Sequence, residues 1–178
     1  SSTDAFLWDL DFSEVMLNGG FDVVIGNPPY VPKSRIIDQS LSPKVVEEMN
    51  DSRVSELKED YKESLRGYVN DSFGFEPSKH CDLYVYFYFK GLDILRDGGT
   101  LSFVTSNAWL SQNYGQDLQK GLLKNSRLNT VIENSVERTF EEADVNTVIT
   151  IANRNSDTCL EGTVSFSSIY ESYSNISE

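Results

Sequence analysis

The chain is poor in the residue types that build metal clusters and disulfide frameworks. Its 178 residues hold two cysteines, Cys81 and Cys159, and one histidine, His80. Two cysteines do not make a disulfide framework, and they read as idle or buried thiols of a reducing cytoplasm. His80 and Cys81 are adjacent and have no second pair. Zinc needs about four ligands at spaced positions, so no metal is expected. No run of 18 apolar residues is present, which argues against a transmembrane helix. There is no basic, apolar leader ending in small residues. Repeats and low-complexity tracts are also absent. Positive charge is scarce: 15 Lys and Arg stand against 28 Asp and Glu, a net charge of −13. That balance excludes a nucleic-acid grip by bulk electrostatics, because phosphate binding needs Lys and Arg to displace counterions. Any nucleic-acid function must work through a local site.

What is present suffices for about one domain. Hydrophobic residues make up 39% of the chain, enough to build a core. Phe21–Gly26 (FDVVIG) is a short, continuous apolar run after Gly19-Gly20. Such runs suit a strand buried on both faces of a parallel sheet. Two prolines in Asn27-Pro28-Pro29-Tyr30 end it, since proline cannot continue the ladder. The spacing predicts an amphipathic helix over Pro43–Tyr68, broken near Asn50-Asp51-Ser52. A loop is expected over Asn70–His80. Asp82–Arg96 is apolar for too long to be a strand and reads as a helix stopped by Gly98-Gly99. A strand at Leu101–Thr105, a helix at Gln112–Lys124 and strands at Asn129–Glu133 and Val145–Ala152 follow. Thr163–Ile169 reads as a last edge strand, and Tyr170–Glu178 as a Ser-rich tail.

This alternation predicts an α/β domain with a mostly parallel sheet. The short link between Asn129–Glu133 and Val145–Ala152 leaves no room for a crossover helix, so an antiparallel pair is expected at one edge. The expected layout is the C-terminal half of a doubly wound domain over residues 1–169, with a helical insertion at about 43–80.

Asn27-Pro28-Pro29-Tyr30 stands where open α/β sheets place their ligands, at the carboxyl end of a parallel strand. An amine conjugated to an aromatic ring is a poor nucleophile, because its lone pair is delocalised. Accepting hydrogen bonds from both N–H groups favours pyramidal geometry and frees that lone pair. The Asn27 side-chain oxygen is one acceptor. The Pro28 carbonyl is the other, its direction fixed because neither proline rotates φ. Tyr30 offers a flat face for stacking on an extruded base.

Gly19–Val31 (GGFDVVIGNPPYV) resembles the catalytic motif region of gamma-class, adenine-specific DNA methyltransferases. His80–Leu110 looks like the block that follows this motif in type IIG restriction–modification and phage-exclusion methyltransferases. Arg138–Arg154 is similar to their later motif. The resemblance implies a Rossmann-like methyltransferase sheet with one antiparallel strand. It implies S-adenosylmethionine as donor, the N6 amine of adenine in DNA as acceptor, and direct methyl transfer. By the same resemblance, Asn27, Pro28 and Pro29 form the catalytic corner, Tyr30 stacks on the base and Phe140 contacts it edge-on. Asn27 also borders the donor. Asp4, in DAFLWD, matches the acidic residue that accepts from the donor's adenine amine. Asp82 begins a block that lines the donor pocket in the family, although Asp is also a favoured helix N-cap. Apart from the resemblance, Lys33 and Arg35 just after the motif are candidates to touch a phosphate flanking the target base, the alternative being two solvated loop charges.

The chain departs from that pattern in one respect. No glycine-rich donor loop of the F-x-G-x-G type occurs in it. The family's first strands would precede Ser1 and its target-recognition domain would follow Glu178. The expectation is therefore a catalytic fragment that does not methylate alone. Two alternatives stand beside it. Protein-glutamine and RNA-guanine N-methyltransferases share the NPPY tetrapeptide, but Ser102–Leu110 (SFVTSNAWL) looks like the DNA enzymes. A non-catalytic assembly module is the other. The aromatic run Tyr84–Phe89 reads as core.

Overall fold

A computed structural model describes residues 7–38, 40–134, 146–155 and 163–170. Two short helices, α1 (Trp8–Asp11) and α2 (Ser13–Leu17), lead into strand β1 (Phe21–Gly26). Trp8 and Phe12 pack on Phe21, with ring centroids 5.8 and 5.3 Å away, and pin these helices to the start of β1. Helices α3 (Pro43–Glu47) and α4 (Asp51–Phe73) follow, separated by a break at Glu48–Asn50. The break is set by Asn50, whose side chain accepts from the Arg53 N–H at 2.9 Å and restarts the helix. α4 runs past Tyr68 into the segment expected as loop. Val69 is fully buried there, and the helix stops only at Gly74, whose φ of 67° is the left-handed cap.

Next come α5 (Leu83–Ile94), β2 (Leu95–Ser106), α6 (Ala108–Ser111), α7 (Gly115–Asn125) and strands β3 (Ser126–Asn134), β4 (Thr147–Arg154) and β5 (Ser165–Ile169). The sheet order is β1-β2-β4-β3-β5. β1 runs parallel to β2 and β3 parallel to β5, while β4 is antiparallel to both its neighbours. The domain is thus α/β with a mostly parallel sheet. The reversed strand, however, is not at an edge: β4 is inserted between β2 and β3, and β5 extends the sheet further.

Two further expectations are corrected. Gly98-Gly99 do not stop the helix, since α5 passes directly into β2. The glycines sit in a bulge where the register jumps from Phe21↔Leu95 to Val23↔Thr100. Gly98 adopts φ +73° there, and Arg96 pairs with Asp22 at 2.6 Å across it. β1 is also not buried on both faces. Only β2 flanks it among the described residues, and Val23 and Ile25 are 57% and 79% exposed.

The core lies between α5 and the sheet. Tyr84, Val85, Tyr88, Phe89 and Leu92 are buried with Leu101, Val148 and Ala152. The Tyr88 hydroxyl bridges Thr105 Oγ1 at 3.0 Å and Thr150 Oγ1 at 2.7 Å, so the polar tip inside this core is satisfied. Helix and sheet approach closely at Gly91, where a Cβ would stand 2.6 Å from Leu101 Cδ1.

Candidate active site

The chain turns sharply as it leaves β1. Asn27 is exposed, Pro28 buried, Pro29 exposed and Tyr30 half-buried with its hydroxyl inside. Val31 N–H donates to the Pro29 carbonyl at 3.0 Å and closes the turn. Two long-range bonds then clamp the corner to the start of α5. Leu83 N–H donates to the Val31 carbonyl, and the Lys33 N–H donates to Asp82 Oδ1, each at 3.0 Å. No hydrogen bond among the described residues engages the Asn27 side chain or the Pro28 carbonyl. Both oxygens are uncommitted among the described residues.

A cleft of about 320 Å³ opens beside them. Asn27, Pro28 and Pro29 form one wall, and Trp8, Phe87, Gly91 and Phe103 form much of the rest, with Lys90 the one charged side chain. Phe87 is 40% exposed, unlike its buried neighbours Tyr86, Tyr88 and Phe89. The reading of Tyr84–Phe89 as core therefore holds except at Phe87. A signal for this existed in the sequence. Lys90 is the lone charge between Leu83 and Leu92, and Leu83, Phe87 and Lys90 share one helix face by their spacing. A charge inside an apolar helix marks the side left open.

Tyr30 faces the interior more than the stacking role suggests. Burial raises its pKa above the ordinary value. Asp82 has the N-cap backbone conformation but makes no capping bond. Its carboxylate instead accepts from Lys33 N–H and from the Tyr114 hydroxyl at 3.0 Å, while Tyr84 and Tyr114 hydroxyls lie 2.9 Å apart. Burial pushes both tyrosines up, joined at Tyr84 by its bond to Tyr114 and at Tyr114 by the field of Asp82. Lys33 and Arg35 bound a single 3-10 turn, and both are exposed. Lys33 Nζ meets His80 Nδ1 at 3.0 Å, a contact invisible in the sequence. Asp4 and Phe140 lie outside the described residues. Among the described residues, no group of three or more His, Cys, Asp or Glu is placed to hold a metal ion, and no helix is long and apolar enough to cross a membrane.

Residues 1–140 match the Eco57I restriction-modification methylase family. The chain belongs to that family. Among relatives of this Eco57I-family chain, the type II methyltransferase M.BstVI of Geobacillus stearothermophilus is 27% identical over 138 residues, covering 78% of this chain and 19% of the relative. The type II methyltransferase M.XhoI of Xanthomonas vasicola is 31% identical over 109 residues, covering 61% and 15%. The chain thus spans less than a fifth of the length of these curated relatives. In fold, it is similar to a class I S-adenosylmethionine-dependent methyltransferase of Listeria monocytogenes (TM-score 0.54, 16% identity, 85% of this chain and 38% of that one). A second likeness is to DrdV in its DNA complex (TM-score 0.57, 13% identity, 93% and 16%).

Proposed function

We propose that this chain carries the acceptor half of a DNA methyltransferase site, which transfers a methyl group from S-adenosylmethionine to the N6 amine of an extruded adenine. One observation carries the reading: the Asn27 side chain and the Pro28 carbonyl are free of other hydrogen bonds at a rigid corner that borders an open, aromatic-walled cleft. Family membership and the type II methyltransferase relatives support it.

The donor, when bound, supplies an electrophilic methyl group on a sulfonium. The cleft suits such a molecule in part: Phe87 and Phe103 provide flat apolar walls, and Asn27 lines the same cleft. The chain's own residues do the rest. Asn27 Oδ1 and the Pro28 carbonyl accept the two amine N–H bonds and turn the nitrogen lone pair toward the methyl carbon. The diproline holds both acceptors in place before the base arrives, so little reorganisation is needed at reaction. Tyr30 supports the base ring, Phe140 contacts its edge, and Asp4 accepts from the donor's adenine amine. The methylated nitrogen would carry the positive charge and be acidic, so one of its two N–H protons would pass to bulk water while the other stays hydrogen-bonded at the Asn27–Pro28 corner.

The test is methyl incorporation into an adenine-containing duplex by the whole protein that carries this chain. Replacing Asn27 with Ala is expected to lower the rate on the order of 10²-fold or more, as loss of one preorganised polar contact does elsewhere. Digestion of the product is expected to release N6-methyladenine. Unchanged incorporation in the variant, or a different methylated nucleoside, overturns the assignment.

A further inference from the structure

Cations are scarce in this chain, and three of its 15 Lys and Arg share neighbouring depressions beside the loop that follows Asn27–Tyr30. Lys33, Lys62 and Lys79 line two depressions with His80, the only histidine. The depressions, of about 330 and 420 Å³, share Lys33 and His80. Their position follows from topology. Lys33 lies on the loop after β1, and Gln112, Asn113 and Tyr114 lie on the loop after β2. β1 and β2 are parallel, so both loops emerge on the sheet edge that carries Asn27–Tyr30.

The carboxylates nearby are already engaged. Asp82 accepts from Lys33 N–H and Tyr114, Asp117 accepts from Ser78 N–H at 3.0 Å, and Glu59 pairs with Lys62. Lys33 and Lys79 enter none of the ion pairs among the described residues. An ammonium only donates, so in the Lys33–His80 contact Nδ1 accepts and the ring proton sits on Nε2. Two Lys33 N–H bonds and the His80 Nε2–H make no bond to a carboxylate among the described residues, and the Gln112 and Asn113 amides line the same depression as neutral donors. Asp117 lines the same space. A dianion would meet it at a cost, whereas a singly charged oxyanion takes the donors with less repulsion.

We propose that this depression holds a backbone phosphodiester of the DNA strand flanking the extruded base, with Lys33 and His80 as its donors. The proposal rests on the reading that the acceptor is DNA. It explains how a chain of charge −13 takes part in DNA binding: through one local anion site rather than a basic face.

Because His80 is the only histidine, its Cε1 proton gives one unambiguous NMR signal. The experiment titrates the chain with a short single-stranded deoxyoligonucleotide at fixed pH. The signal is expected to move, and the effect to disappear in Lys33→Gln while persisting in Lys33→Arg. It should also persist in Lys120→Gln, which makes the same charge change at an exposed position on α7. Binding by Lys33→Gln should show a logarithmic salt slope smaller by roughly 0.7, the loss of one phosphate contact. No movement, equal movement with an uncharged-backbone analogue, or equal loss in Lys120→Gln overturns the proposal. A free-phosphate site would appear as inorganic phosphate acting at lower concentration than the oligonucleotide, and that too overturns it. Asn27→Ala separates this proposal from the function above. If methyl transfer ignores Asn27 while the His80 signal still responds to DNA, the amine-acceptor reading fails and the phosphate site stands.

Discussion

Asp82 holds Lys33 by its backbone, the carboxylate accepting the Lys33 N–H at 3.0 Å across a sequence separation of 49. The same side chain accepts from Tyr114 on the loop after β2. One carboxylate therefore fixes the loop after β1 against both α5 and the next strand's loop. Replacing Asp82 with Ala removes two charge-assisted bonds at a part-exposed site. The expected loss is about 1–3 kcal/mol, read as a lower urea midpoint at unchanged slope. Asp82→Asn, which keeps one acceptor oxygen, should recover part of it. An Asp82→Ala protein as stable as wild type would show that the clamp does not hold the corner.

That clamp also shows what could be read from the sequence. β1 was readable to the residue, because an apolar run bounded by glycines and prolines admits few alternatives. The end of β1 at Asn27-Pro28-Pro29-Tyr30 was readable because two successive prolines cannot continue a ladder. Two things were not. The exposure of Val23 and Ile25 depends on which strands lie alongside β1, and no local pattern records that. The Lys33–His80 and Lys33–Asp82 contacts join segments separated by the helical stretch α3–α4, so spacing carries no trace of them. α4 outran its expected end because Val69 is buried, a tertiary effect that outweighed the weak helix preference of Asn70, Asp71 and Ser72.

Tyr88 is the polar centre of the core. Its hydroxyl ties α5 to β2 through Thr105 and to β4 through Thr150. Tyr88→Phe keeps the ring but leaves two buried threonine hydroxyls facing a hydrogen. A destabilisation of about 1–3 kcal/mol is expected. The double variant with Thr150→Val should lose less than the sum of the two single changes, because both partners of one bond are then removed together. Strict additivity in that thermodynamic cycle would refute the coupling.

Two glycines give opposite expectations for the same substitution. Gly67 lies inside α4 with nothing within 4 Å of an added Cβ, so Gly67→Ala should stabilise by about 0.5–1 kcal/mol through helix entropy. Gly91 lies inside α5, where an added Cβ meets Leu101 at 2.6 Å and Phe103 at 3.1 Å. Gly91→Ala should destabilise by about 1–3 kcal/mol through overpacking, despite the same entropic gain. It also narrows the cleft beside Asn27, since Gly91 and Phe103 both line it. Equal melting shifts for the two variants would show that α5 does not rest tightly on the sheet.

The pH dependence of stability follows from groups buried in their neutral forms. Burial, aided by the fields of Asp117 and Asp82, pushes the Cys81 thiol from 9.0 up to about 12. Burial likewise raises Tyr88 from 10.0 to about 12 against the opposing bonds of Thr105 and Thr150. Tyr68, Tyr84, Tyr86 and Tyr114 are raised as well, burial being the first cause for each. These groups lose protons more readily in the unfolded chain than in the folded one. Their contribution to stability is therefore complete below about pH 9 and is lost as pH rises from there through about 12. The expected behaviour is a flat urea midpoint up to about pH 9, then a steep decline. Tyrosinate absorbance should appear together with loss of the helical circular-dichroism signal, and Cys81 should resist alkylation until that point. Smooth tyrosinate formation near the ordinary tyrosine value, with the helical signal intact, would mean that these side chains are not enclosed as the fold places them.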